Sequence, residues 1–297
     1  MKHSILGAGG VGGFIGAVLA KAGEPVTLVV RPGTERSYPS TLSLDSSFGK
    51  IVAPVQIATR AAEFDVLWVT VKATQLDAAK KEIDLPAGSV IVPLLNGLDH
   101  VAALRKRFGH DAVIPATIAI ESERTAPGQI AHRSPFARLK VAASGEKTLA
   151  KPIEQLRAFG VDCQFVQDET TLMWTKLALL APIALSTTAA RAPIGAVRDD
   201  PDRAKLLYDC VREACAVGAA EGAKLDAESL IGMIKSVVPT MRSSMQKDLE
   251  AGNPLELDAI GETILRRAAA KGVATPSTKT LVERVRSLSR PGERHAS

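Results

Sequence analysis

The chain has 297 residues, 46% apolar and 23% charged, which is enough for two domains and a sizeable buried core. Aromatic residues make up only 4%, so base-stacking platforms are poorly supplied, and a net charge of +5 with a pI near 9.1 suits an anionic small molecule at least as well as nucleic acid, with no basic run long enough to argue otherwise. Three cysteines (Cys163, Cys210, Cys215) are an odd number without C-x-x-C spacing, so no disulfide framework and no metal site is indicated, and a reducing cytoplasm fits.

Lys2-His3-Ser4-Ile5-Leu6 reads as a short buried strand, followed directly by Gly7-Ala8-Gly9-Gly10-Val11-Gly12 and a helical run to Lys21. Glu24 to Val30 then reads as the next strand. Strand, G-x-G-x-x-G, helix and strand form the dinucleotide-binding arrangement. Gly7 allows the tight turn, Gly9 a close backbone approach to pyrophosphate, and Gly12 the packing of helix on strand, while free N–H groups of the helix start face the phosphates. A glycine-rich turn that only packs tightly is the alternative. The apolar run Ile5 to Ala20 superficially resembles a signal peptide, but six glycines (7, 9, 10, 12, 13 and 16) argue against a targeting helix. No other stretch is expected to approach the ~20 apolar residues that span a bilayer, so no membrane partner is read.

The second strand ends Val29-Val30-Arg31, where a carboxylate would select NAD. A guanidinium there can grip a 2′-phosphate, so Arg31 favours NADP; an ordinary solvated strand-end charge is the alternative. Residues 31 to 60 read as irregular structure with a small hairpin. Further strands are expected at Phe64–Val71, Ser89–Leu95, Ala112–Ile120, Gln129–His132, Ala137–Val141 and Val161–Val166, with helices to about Ile83, from Asp99 to Arg107 and from Lys147 to Phe159. Lys72, Gln75 and Asn96 fall just past strand ends, where ligand groups gather in a parallel sheet.

After Asp168 strand-like runs vanish. Helical periodicity covers about 169–188, 201–221, 227–238, 241–251, 256–271 and 276–289, with Gly222, Gly252 and Gly272 as C-terminal caps and Pro276 as a helix start. The tail Arg290 to Ser297 reads as frayed. The expected organisation is a Rossmann-type doubly wound parallel α/β domain, residues 1–167, then an all-α domain, residues 168–297, with the ligand site in the cleft between them. Lys176 sits in the apolar run Leu172 to Ala181, where burial lowers an amine's pKa towards proton transfer; the alternative is a lysine snorkelling to the surface. Glu256 is its natural partner, or else a first-turn glutamate that favours the helix dipole.

As an ordered set, GAGGVG, Arg31, V-K-A-x-Q at Val71–Gln75, Asn96-Gly97, Pro127-Gly128 with His132, W-x-K at Trp174–Lys176, S-S-M-x-x-D at Ser243–Asp248 and E-x-D at Glu256–Asp258 resemble the ketopantoate reductase (2-dehydropantoate 2-reductase) family. The resemblance implies a cytoplasmic oxidoreductase of pantothenate biosynthesis. Its fold would be a Rossmann domain and a helical domain like the C-terminal one of 6-phosphogluconate dehydrogenase, and a homodimer is compatible with it. It implies NADPH-dependent reduction of a 2-oxo acid, with Lys176 as proton donor and Glu256 orienting that ammonium and the ligand. Asn96 and Ser244 would contact substrate or cofactor. Gly7, Ala8, Gly9, Gly10, Val11, Gly12, Arg31, Lys72, Gln75, Asn96 and Glu256 would hold the cofactor. Asparagines are usual one and two turns after the lysine, where this chain has Leu180 and Ala184. A related dehydrogenase acting on a hydroxy acid or polyol, and a non-catalytic NADP-binding paralogue, are the alternatives.

Overall fold

The computed structural model describes residues 1–289. Two compact units emerge, one of residues 1–95 and 100–172, the other of residues 96–99 and 173 onward. In the first, β1 (His3–Leu6), α1 (Gly10–Lys21) and β2 (Val26–Val29) lead to β3 (Thr41–Ser46), β4 (Gly49–Pro54), β5 (Gln56–Ala58), β6 (Val66–Val69), the short α2 (Leu76–Ala79) and β7 (Val90–Pro93). They are followed by α3 (Asp99–Phe108), β8 (Ala116–Ala119), β9 (Ser122–Ala126), β10 (Gln129–His132), β11 (Arg138–Ala142), α4 (Glu146–Ala158) and β12 (Asp162–Val166). The central sheet is parallel throughout, in the order β5-β2-β1-β6-β7. All residues of β1, β6 and β7 are buried, as a sheet covered on both faces requires.

Helix α1 explains the unusual glycine density. It lies between the central sheet and a second sheet, β4-β3-β10-β9. A Cβ on Gly16 would stand 3.3 Å from both Ile5 of one sheet and Leu42 of the other, and one on Gly13 would collide with Ile130 at 2.3 Å. A helix buried on two sides is apolar nearly all round, which is why the run mimics a targeting segment. A third sheet, β12-β11-β8, completes the unit.

The second unit is helical: α5 (Glu169–Ala190), whose first turn belongs to the first unit, then α6 (Ile194–Asp199), α7 (Pro201–Ala220), α8 (Ala227–Ser236), α9 (Ser244–Glu250), a π-helical turn at Asp258–Glu262, α10 (Thr263–Lys271) and α11 (Pro276–Ser289). Helix α7 packs against α6, α8, α10 and α11 through Leu207, Val211, Ala214 and Val217, all fully buried. Asp200, Asp226 and Ser243 cap α7, α8 and α9 by accepting from first-turn amides. Gly222, Gly252 and Gly272 end helices with positive φ. The cysteines are buried, which pushes their thiols up to about 12, 12 and 11 at Cys163, Cys210 and Cys215.

Several expected elements differ. The strand read from Ala112 to Ile120 is confined to Ala116–Ala119, because Pro115 has no N–H to give a ladder. The helix read up to Ile83 is a single α-turn between two 3₁₀ turns. The small hairpin is β3–β4, and β9 and α6 are additions. The helix read from Met241 starts at Ser244, set by the Ser243 cap, and the one read from Glu256 opens as the π-helical turn. Helix α5 is itself long and apolar enough to cross a membrane, contrary to the expectation that no further stretch would be; 72% of its apolar window is buried within the protein, which is why a core helix carries that composition. The tail 290–297 lies outside the described residues.

Candidate functional site

In the first unit, β1 delivers the chain into Gly7 with φ +102, a conformation closed to other residues, and a Cβ there would meet Val71 at 2.9 Å. A Cβ on Gly12 would lie 2.4 Å from the Gly7 carbonyl and from Thr70 Oγ1, and one on Gly10 would overlap the Ser122 carbonyl. Those three glycines serve packing. Gly9 differs: nothing lies within 4 Å of where its Cβ would be. As N-cap of α1 it supplies no side chain to the first-turn amides, and that turn carries no acidic residue. Open space beside uncapped amides of a long helix is what a pyrophosphate requires, so the turn fits a dinucleotide. Ala8 is buried and Val11 partly so. Past β2, Arg31 is exposed and forms no ion pair among the described residues. Lys72 and Gln75, both half-buried, bracket the 3₁₀ turn that follows β6.

In the second unit, the turn after β7 brings Asn96 to Glu256. Asn96 Nδ2 donates to Glu256 Oε2 at 3.0 Å, joining residues 160 apart in the chain. The approach depends on Gly97, whose φ is +85 and whose Cβ would strike the Ala259 carbonyl at 2.4 Å. Asp99 fastens the same turn through Arg267 (2.6 Å), Arg266 (3.0 Å) and Thr263 (3.1 Å). Burial would raise the Asp99 carboxyl, but the bonds from Arg267 and Arg266 win and hold it below the usual range. Arg267 also grips Glu221, which takes the Trp174 indole N–H at 3.0 Å. Trp174 is two residues before Lys176, so this network also fixes the helix that carries the lysine.

Lys176 keeps part of its surface exposed, yet its amine is packed densely by protein. Burial pulls it from 10.5 down to about 8, and the negative charge of Glu256 offsets only part of that pull. Glu256 is 7% exposed. Lys176, Glu256 and Asn96 therefore form one electrostatic group. Ser244 is exposed at the start of α9, and its neighbour Ser243 is buried. Ser243 Oγ lies 2.8 Å from Thr187 Oγ1, which ties this turn to α5. The Asp99 network and the Thr187–Ser243 contact were missed in the sequence. Asp99 looks there like any first-turn acid, and Thr187 like a small core residue.

A family profile described as ketopantoate reductase PanE/ApbA matches residues 3–145, and one described as its C-terminal part matches residues 169–289. The chain belongs to the ketopantoate reductase family. It is 32% identical to the 2-dehydropantoate 2-reductase of Caulobacter vibrioides over 94% of this chain and 96% of that one. Its fold superposes on the PanE/ApbA family ketopantoate reductase of Ralstonia eutropha JMP134 with a TM-score of 0.85 at 26% identity, covering 97% of this chain and 98% of that one. The fold is also that of a D-mandelate dehydrogenase solved with NADH and anilino(oxo)acetate, with a TM-score of 0.86 at 20% identity over 97% and 98% of the two chains. Ketopantoate reductases are nicotinamide-dependent oxidoreductases, and the central parallel sheet with an all-helical C-terminal region is their architecture.

Proposed function

We propose that this protein reduces a 2-oxo acid to a 2-hydroxy acid with NADPH, using Lys176 as the proton donor. One observation carries the reading: on an otherwise apolar stretch of helix, a lysine is held at about 8 beside Glu256, which Asn96 in turn holds. An ammonium so poised gives up its proton readily near neutral pH. The glycine turn around Gly9 would hold the pyrophosphate, with Gly7, Ala8, Gly10, Val11 and Gly12 shaping it. Lys72 and Gln75 would lie along the cofactor, and Arg31 would grip a 2′-phosphate with its N–H fork. A bound reduced nicotinamide supplies hydride chemistry. Lys176 Nζ hydrogen-bonds the ketone oxygen, stabilises the negative charge that grows there, and passes a proton to it as the C=O becomes C–OH. The neutral amine then takes a proton back from water. Glu256 keeps the ammonium oriented, Asn96 holds Glu256 and borders substrate and cofactor, and Ser244 offers a hydroxyl to the substrate carboxylate.

The test follows NADPH oxidation with a panel of 2-oxo acids in the native protein and in Lys176→Ala. The expected result is turnover that the substitution abolishes while the protein stays folded. Equal rates in the two proteins overturn the role of Lys176, and the absence of turnover across the panel overturns the activity.

A further inference from the structure

Residues four, seven, eight and eleven positions beyond Lys176 share its face of α5, and here they are Leu180, Ile183, Ala184 and Thr187. Ile183 and Ala184 are buried, at 8% and 1% exposure, and Thr187 is fully enclosed. The Thr187 hydroxyl is already placed, 2.8 Å from the Ile183 carbonyl and 2.8 Å from Ser243 Oγ. Leu180 alone of the four keeps part of its surface open. From the lysine onward, then, this face offers a ligand hydrocarbon and no hydrogen-bonding group. The polar groups tied to the amine, Glu256 and through it Asn96, lie on other elements and serve the carboxylate and ketone end in the reading above.

Resting on that reading, we infer that the substrate is a 2-oxo acid whose side chain is purely hydrocarbon, and that Leu180 is the residue that sets this preference. A substrate hydroxyl brought against Leu180 would give up its water without a partner in return. An apolar site rejects an added hydroxyl by about 10- to 100-fold in kcat/KM, whereas a site built around a hydroxyl rejects its absence far more strongly. The sign of the preference is therefore diagnostic.

The experiment measures kcat/KM with NADPH for 3,3-dimethyl-2-oxobutanoate and for its 4-hydroxy derivative, which differ only by one oxygen, in the native protein and in Leu180→Asn. The expected result is at least a ~10-fold preference for the hydrocarbon acid in the native protein, reduced several-fold by the asparagine. The ratio of two substrates cancels any change in folded fraction, so a merely structural effect of the substitution leaves it unmoved. Equal use of the two acids, preference for the hydroxy acid, or a ratio unaltered in Leu180→Asn overturns the inference while leaving the reductase activity standing. Turnover of neither acid, nor of any other 2-oxo acid in the panel, removes both the activity and the inference.

Discussion

The two units solve the same problem, placing polar chemistry on an apolar scaffold, in opposite ways. The first does it with backbone. Gly7, Gly10 and Gly12 bring main chain to within contact of main chain, and the only open position in the turn, Gly9, faces nothing. The second does it with side chains held by other side chains: Asn96 on Glu256, Asp99 on Arg266 and Arg267, Glu221 on Trp174. The glycines that build the backbone site show in the local sequence, although Gly7, Gly10 and Gly12 pack on Val71, Ser122 and Thr70 far along the chain, and a methyl at any of the three collides. Side-chain sites depend on distant partners and fail gradually, one hydrogen bond at a time.

The largest expected effect lies in the side-chain unit. Lys176→Ala removes the proposed proton donor and the charge that stabilises the alkoxide, and kcat should fall about 10³-fold, within the range for general acid catalysis. Steady-state rates with NADPH, alongside a melting curve, measure it. Removing the amine leaves the buried Glu256 without that cation, so some loss of stability is expected, and a cooperative melt well above the assay temperature separates lost chemistry from lost fold.

Next come two substitutions that set backbone packing against backbone recognition. Gly12→Ala forces a methyl into the Gly7 carbonyl and Thr70, so the fold itself should lose about 1–3 kcal/mol, read from denaturant unfolding. Gly9→Ala meets no protein atom, so unfolding should be nearly unchanged while NADPH affinity, measured by fluorescence titration, drops about 10-fold or more because the methyl takes the space a pyrophosphate would occupy. If Gly9→Ala binds NADPH as tightly as the native protein, the turn is a packing device only. Arg31→Asp then asks whether one exposed side chain sets the choice of nicotinamide: the NADPH-over-NADH ratio in kcat/KM should fall about 10- to 100-fold, the worth of a charge-assisted contact.

The same contrast explains what could be read from the chain. The parallel sheet, the glycine turn and α5, α7 and α11 follow from short-range patterns, so their positions are close to those expected. Lys176 is visible because a charge inside Leu172 to Ala181 violates the local pattern. The pairing of Asn96 with Glu256 is not local at all: each residue stands out in the sequence as a separate candidate, Asn96 past a strand end and Glu256 as a partner for Lys176, and the hydrogen bond between them is seen only in the structure. The clasp of Asp99 on Arg266 and Arg267 and the contact of Thr187 with Ser243 left no signal, because neither residue type breaks any pattern where it stands. Strand β9 was missed because Ser122–Ala126 has little buried surface, and the strand read at 112–120 overlooked the missing donor of Pro115.

The mildest effect is a titration, and it tests how strongly the two halves of the electrostatic group are coupled. The donor must be protonated before it can act, and its pKa stands at about 8. The reductive kcat/KM should be flat below that value and fall about 10-fold per pH unit above it, whereas oxidation of the 2-hydroxy acid should rise over the same span. Stability moves the other way. The folded pKa lies below the unfolded 10.5, so between about 8 and 10.5 the unfolded chain binds more protons, and this group's contribution to folding grows as pH rises. Activity lost above pH 8 with no fall in melting temperature is thus the mark of deprotonation rather than unfolding. Glu256→Gln removes the charge that props the lysine up, so the whole profile should shift to lower pH; a profile that stays in place would uncouple Glu256 from the proton donor.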